Sequence, residues 1–138
     1  MLNFSDFSWI GVITASIASS VLGGLWFTVL FGRAYSAALG QAHDPGAKPA
    51  PLLIIGPAVW SLVTALSTAV LMASLGMETV SGALGLGLFI GIGFLAATTI
   101  NTGINPNIPR PMLYGAVSGA YHLAAGLIIA LVLSFFQG

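Results

Sequence analysis

Charge is almost absent from this sequence. Six of its 138 residues are charged, three Lys or Arg against three Asp or Glu, which is 4% and sums to zero. A soluble domain carries about 25% charged residues, so a water-soluble globular protein is all but excluded. Cysteine is missing altogether, which removes disulfides, thiolate nucleophiles and Cys-based zinc or iron–sulfur sites. A basic footprint is missing too, and three dispersed cations give nucleic acid nothing to bind. What is present is apolar. Hydrophobic residues make up 57% and mean hydropathy is +1.03, the reverse of a disordered composition. An integral membrane protein remains.

The few charges divide the chain. Charge-free runs extend from Phe7 to Gly32, from Pro49 to Met77, from Thr79 to Pro109, and from Pro111 onward. About 20 apolar residues make a helix that crosses a hydrocarbon core of about 30 Å. Each run suffices for one crossing, and none for two with a turn. The sequence therefore predicts an all-α polytopic membrane protein, a single bundle of four transmembrane helices over about 8–31, 57–75, 82–102 and 112–136. Trp9, Trp26 and Trp60 fit membrane interfaces, where amphipathic rings collect. The Pro- and Gly-rich segment Gly40–Pro51 reads as a loop. Pro57 suits the first turn of the second helix, Ser81 the N-cap of the third, and Asn105–Pro111 a tight connector. No alternating ten-residue segments suggest a barrel.

Sidedness follows from the cations. Arg33 and Lys48 fall in the first loop and Arg110 in the third, whereas the face with both termini and Glu78 has neither Lys nor Arg. The positive-inside rule then places both termini outside the cytoplasm, and a C-terminal fusion reporter found in the cytoplasm overturns that orientation. The first residues lack a basic n-region, and their apolar stretch is too long for a secretory signal. Phe136-Gln-Gly138 faintly resembles a protease-site remnant and carries no functional weight.

Small residues supply the packing faces. Ser16, Ser19, Ser20, Gly23 and Gly24 recur at three- and four-residue spacing on the first helix. Ala83, Gly87 and Gly91 do so on the third, and Gly115 and Gly119, then Gly126, on the fourth. Such spacing lets helix backbones approach closely in lipid. Gly85-Leu-Gly87 is no nucleotide loop, since no strand precedes it and the spacing is wrong. Eighteen glycines exceed what four helices need, so a homo-oligomer is expected. No internal repeat argues for an inverted-repeat transporter.

Apart from tyrosines, His122 is the only ionisable residue well inside a predicted helix, about 15 Å deep at 1.5 Å per residue. An ionisable group at that depth is a functional candidate by default. Tyr114, Ser118, Tyr121 and His122 form a polar stripe, with Ser61, Thr64 and Thr68 on the second helix and Thr98, Thr99, Asn101 and Thr102 on the third able to meet it. Three roles stay open for His122. It fixes helix register through a neighbouring hydroxyl or carbonyl, it takes part in proton-linked or ligand contact, or it ligates a metal or haem with a second ligand from elsewhere. Arg33 and Arg110 read as headgroup anchors, with anionic-lipid binding as the functional alternative. No pair of carboxylates and no Ser-His-Asp arrangement supports catalysis. No cofactor is expected, and the expected partners are membrane lipids, further copies of the chain and a small-molecule ligand.

Gly24-Leu-Trp-Phe27 followed by Leu30-Phe-Gly-Arg33 resembles the signature of domain-of-unknown-function family 1761, small membrane proteins of bacteria and fungi. Members typically show Gly-x-Trp-Tyr and then Leu-Phe-Gly-Lys-x-Trp. Gly93-Phe94, Asn101 and Tyr121-His122 are further matches. Phe27 stands in place of the usual Tyr, and Tyr35 where Trp is common. The resemblance implies a four-helix fold, a bacterial cytoplasmic membrane and no assigned activity. It also groups Trp26, Asn101 and His122 as lining one intramembrane pocket. Two functional classes follow: a module that binds or transports a small apolar or protonatable solute, and a structural subunit of a larger membrane complex. A haem or redox protein is a third, resting on one histidine.

Overall fold

Helix is the only regular element among the described residues, 1–136, of the computed structural model. Helix α1 (Trp9–Leu25) starts where the Ser8 side chain accepts the Gly11 N–H, satisfying a donor that has no partner inside the helix. It continues as a π-helical turn, Trp26–Leu30, in which the Phe31 N–H reaches back five residues to the Trp26 carbonyl at 2.8 Å. Phe31 leaves helical geometry (φ −126°, ψ 15°), and the chain resumes as α2 (Gly32–Ala38). The sequence reading had no element here. Gly40 ends α2 at φ 67°, the left-handed conformation that suits a residue without Cβ.

Helix α3 (Pro51–Ser74) begins six residues before the expected start at Pro57. Pro51 takes the first helical position, and Ala50 before it is extended, as a residue preceding proline prefers. Pro57 therefore lies inside α3 and deletes one backbone hydrogen bond there. Gly76, at φ 61°, closes the helix. The third span is α4 (Val80–Ile90), a second π-helical turn over Gly91–Ala96, and α5 (Ala97–Gly103). Its N-cap is Thr79, not the expected Ser81: the Thr79 hydroxyl accepts the Gly82 N–H at 3.1 Å. Helix α6 (Pro111–Ser134) has Pro111 in its first turn and stops two residues short of the expected Phe136. Gln137 and Gly138, which belong to the remnant-like tail, lie outside the described residues.

Four spans result, Trp9–Leu30, Pro51–Ser74, Val80–Gly103 and Pro111–Ser134, each long and apolar enough to cross a bilayer. The chain is a multi-pass membrane protein. Asn3 donates its N–H to Ser74 Oγ, and Gly11 lies against Phe136, so both ends of the chain and the α3–α4 turn share a terminal end. The Arg110 N–H bonds the Ala38 carbonyl, bringing the other two connections together at a loop end.

Helix α6 is the hub, packing on α1, α2, α4, the second π turn and α5, whereas α3 leans on α1 and touches α6 lightly. The α4–α6 crossing is close because glycines make it. A Cβ on Gly87 would stand 2.8 Å from the Gly126 carbonyl oxygen and from Ala130 Cβ, and one on Gly126 would stand 3.0 Å from the Gly91 Cα. Ile100 sits over Gly115 and Gly119, and Tyr121 over Gly23. Ser16 and Ser19 are buried and Ser20 is half-buried. Gly24 departs from its expected seam: it is exposed and nothing lies within 4 Å of its Cβ position. One residue further than Gly23, it is turned about 100° away from Tyr121.

The buried core belongs to the terminal end. Val12 and Ala15 of α1, Ala65, Ala69 and Met72 of α3, Ala83 and Leu86 of α4, and Ile129 and Leu133 of α6 form it. Toward the loop end α3 loses its neighbours, and Leu52, Leu53, Ile54 and Ile55 are all more than half exposed.

Candidate functional site: a cleft between α3 and α6

Where α3 departs from α6, a cleft of about 490 Å³ opens, within the usual size range of small-molecule sites. Helix α6 forms its floor through Tyr114, Ser118, Tyr121, His122, Ala125 and Ile129. These positions share a face at three- and four-residue spacing, so the polar stripe read from the sequence is the cleft floor. Helix α3 supplies the facing wall with Leu52, Gly56, Pro57, Trp60, Ser61 and Thr64, and Ser19, Phe27, Tyr35 and Leu95 close the remainder. Leu52 and Trp60 are exposed on the flank of the span, so the cleft communicates with the lipid side.

Two polar bonds fix the floor against α1. Trp26 Nε1 donates to the Val117 carbonyl at 3.0 Å, and the Tyr121 hydroxyl donates to the Ser19 carbonyl at 3.4 Å. A third, from Ser61 Oγ to the Ser16 carbonyl at 3.3 Å, ties α3 to α1 at the inner edge of the cleft. Interhelical bonds of this kind hold register in lipid, where backbone carbonyls have no water to turn to.

Ser118 differs from six other hydroxyls of the spans. Thr14, Thr28, Thr64, Thr68, Ser74 and Thr99 each bond a carbonyl four residues back in their own helix. Ser118 Oγ, 3% exposed as a residue, has no hydrogen-bond partner among the described residues. A buried hydroxyl left without a partner costs about 1–3 kcal/mol. It lies on the cleft floor one turn before His122.

Aromatic rings line the loop end of the cleft. Phe27 meets Tyr35 and Tyr121 edge to face at centroid distances of 4.7 and 5.0 Å, and Tyr35 lies 6.1 Å from Tyr114. The π turn that ends α1 carries Phe27, and α2 carries Tyr35, so the break at Phe31 builds this wall. Burial, and then neighbouring Tyr114, push the Tyr35 phenol above its ordinary value of 10.0, and it stays neutral at physiological pH.

Of the residues singled out beforehand, His122, Tyr121 and Ser118 come together, and Ser61 and Thr64 face them across the cleft as expected. Trp26 and Asn101 do not line it. Trp26 is held against the Val117 carbonyl and Phe31, and Asn101 is exposed on α5. Thr68 and the α5 hydroxyls also stay outside. Arg33 and Arg110 are exposed at the loop end. Tyr35 and Gly56 were missed. The signal for Tyr35 was its departure from the family pattern, and Phe27, the other departure, lines the same wall.

A larger hollow of about 810 Å³ lies at the terminal end, between the first eight residues and the α3–α4 turn. Its Asp6 carboxylate is engaged by Asn3 Nδ2 at 2.8 Å. It sits at the ends of the spans, with Met72 and Ala73 of α3 in its wall. Among the described residues no three His, Asp or Glu side chains gather as metal ligands.

Four apolar spans around a largely apolar cleft with a few polar side chains on its floor define a small polytopic α-helical membrane protein. Residues 10–134 match the family described as Protein of unknown function (DUF1761), and the chain belongs to that family. No curated protein and no solved structure matches the chain.

Proposed function

We infer that the protein binds or transports a small apolar or protonatable solute in the α3–α6 cleft. The observation that carries this reading is Ser118 Oγ, buried and unpartnered on the floor of a cleft whose next turn presents His122. Thr64, which faces it across the cleft, instead donates its hydroxyl to the Trp60 carbonyl of its own helix. The location belonging to this reading is the bacterial cytoplasmic membrane with both termini outside the cytoplasm, supported by three cations at the loop end against none at the terminal end. There, exposed Arg33 and Arg110 suit anionic headgroups. Self-association belongs to the same reading. It draws on Gly24, Gly85 and Gly93, whose Cβ positions have no neighbour within 4 Å.

Gly56→Phe tests the cleft. Gly56 lines the cleft wall, and no atom lies within 4 Å of a Cβ there, so a larger side chain is added at that wall without displacing a helix. Native mass spectrometry of protein taken directly from its membranes is expected to show a small-molecule adduct on the wild type that Gly56→Phe lacks. Identical adducts, or none on either protein, overturn the reading.

A further inference from the structure

The cleft has chemistry specific enough to name a ligand class. No Asp, Glu, Lys or Arg lines it. A charged ligand would lose its water there without gaining a counter-ion, and that loss is severe in a low-dielectric site. The occupant is therefore uncharged.

Its shape follows from the walls. The edge-to-face rings of Phe27, Tyr35 and Tyr121 present a surface that favours a further ring, and Trp60 stands on the opposite wall. On the floor to either side of Tyr121, Ser118 and His122 are four residues apart on one helix face, with Cβ atoms about 5–6 Å apart. That separation matches polar atoms spread across a single six-membered ring better than one isolated group. Further along α6 the floor becomes Ala125 and Ile129, which offer no hydrogen bond. The floor from Tyr114 to Ile129 is about 22 Å long at 1.5 Å per residue, ample for a ring with an apolar tail. The open flank at Leu52 and Trp60 lets such a molecule enter from the bilayer without crossing water.

We propose that the cleft binds an uncharged, ring-headed lipid-phase amphiphile of the quinone or phenol class, its ring against the aromatic wall and its oxygens bonded to Ser118 and His122. This rests on the cleft being a binding site, as argued above, and it names the ligand chemistry of that site.

Decylubiquinone is the probe, with tetraphenylphosphonium as a charged aromatic comparison, each measured by equilibrium binding to the whole protein in nanodiscs against lipid-only discs. Saturable decylubiquinone binding is expected. Ser118→Ala is expected to weaken it about tenfold, the worth of one good hydrogen bond, and Gly56→Phe to abolish it. Saturable tetraphenylphosphonium binding that Gly56→Phe removes, with no such binding of decylubiquinone, overturns the ligand class and leaves the cleft as a site. If Gly56→Phe changes the binding of neither probe, the ligand class and the cleft reading both fail. If decylubiquinone binds saturably with equal affinity to wild type and Ser118→Ala, the assignment of its oxygens to Ser118 is wrong.

Discussion

The two ends of the helix bundle follow opposite packing rules. At the terminal end α1, α3, α4 and α6 meet through Ala, Gly and Val, and Met72 and Ile129 are completely enclosed. At the loop end the same α3 stands clear of α6, with bulky Leu52 and Trp60 exposed beside Pro57. Lipid tails are as apolar as leucine, so no hydrophobic force pulls membrane helices together, and shape and polar bonds decide where they touch. The contrast within α3 shows that rule at work. Its alanine-bearing half, Ala65 and Ala69, closes against α1, and its half with large side chains leaves space that the polar floor of α6 faces.

The largest effect that would break this contrast comes from the closed end. Gly87→Leu places a branched side chain where even a Cβ meets Ala130 and the Gly126 carbonyl oxygen at 2.8 Å. We expect a loss of about 3 kcal/mol, the upper range for overpacking, read as unfolding in detergent or by steric trapping in bicelles. A variant as stable as wild type would show that the α4–α6 crossing is slack.

At the open end the expected sign reverses. Ser118→Ala removes an unpartnered buried hydroxyl and should raise the stability of ligand-free protein by about 1 kcal/mol while weakening ligand binding. Lower stability after that change would mean that the hydroxyl has a structural partner. The smallest effect is expected at Gly85, on the same helix as Gly87 but with nothing within 4 Å. Gly85→Ala should raise stability by only about 0.5–1 kcal/mol, since backbone propensity alone is at stake. A loss comparable to that of Gly87→Leu would reveal a contact outside the single chain, as a second copy would provide.

The four spans were legible because bilayer thickness sets helix length and charges mark where helices end. Boundaries were less so. Pro57 looks like a helix start, but Pro51 also does, and only the tertiary structure shows that the earlier one is used. Neither π turn left a sequence signal, and so α2 went unseen. The floor of the site was legible through helical spacing, since Ser118, Tyr121 and His122 share a face wherever α6 lies. Its walls were not, because they depend on how far α3 tilts from α6. Trp26 and Asn101 show the same limit. Depth in the membrane can be counted along the chain, but the direction of a side chain in or after a π turn cannot.

The cross-bonds described above also determine how the site can deform. Trp26 and Tyr121 fasten α6 to α1 at two heights, so that pair behaves as a rigid frame. Helix α3 is clamped to the frame only from Ser61 onward, and the segment from Pro51 to Ser61 is a lever arm about 15 Å long. Rotation of that arm by about 8° carries its tip about 2 Å, enough to change the width of the entrance while the core beyond the fulcrum hardly moves.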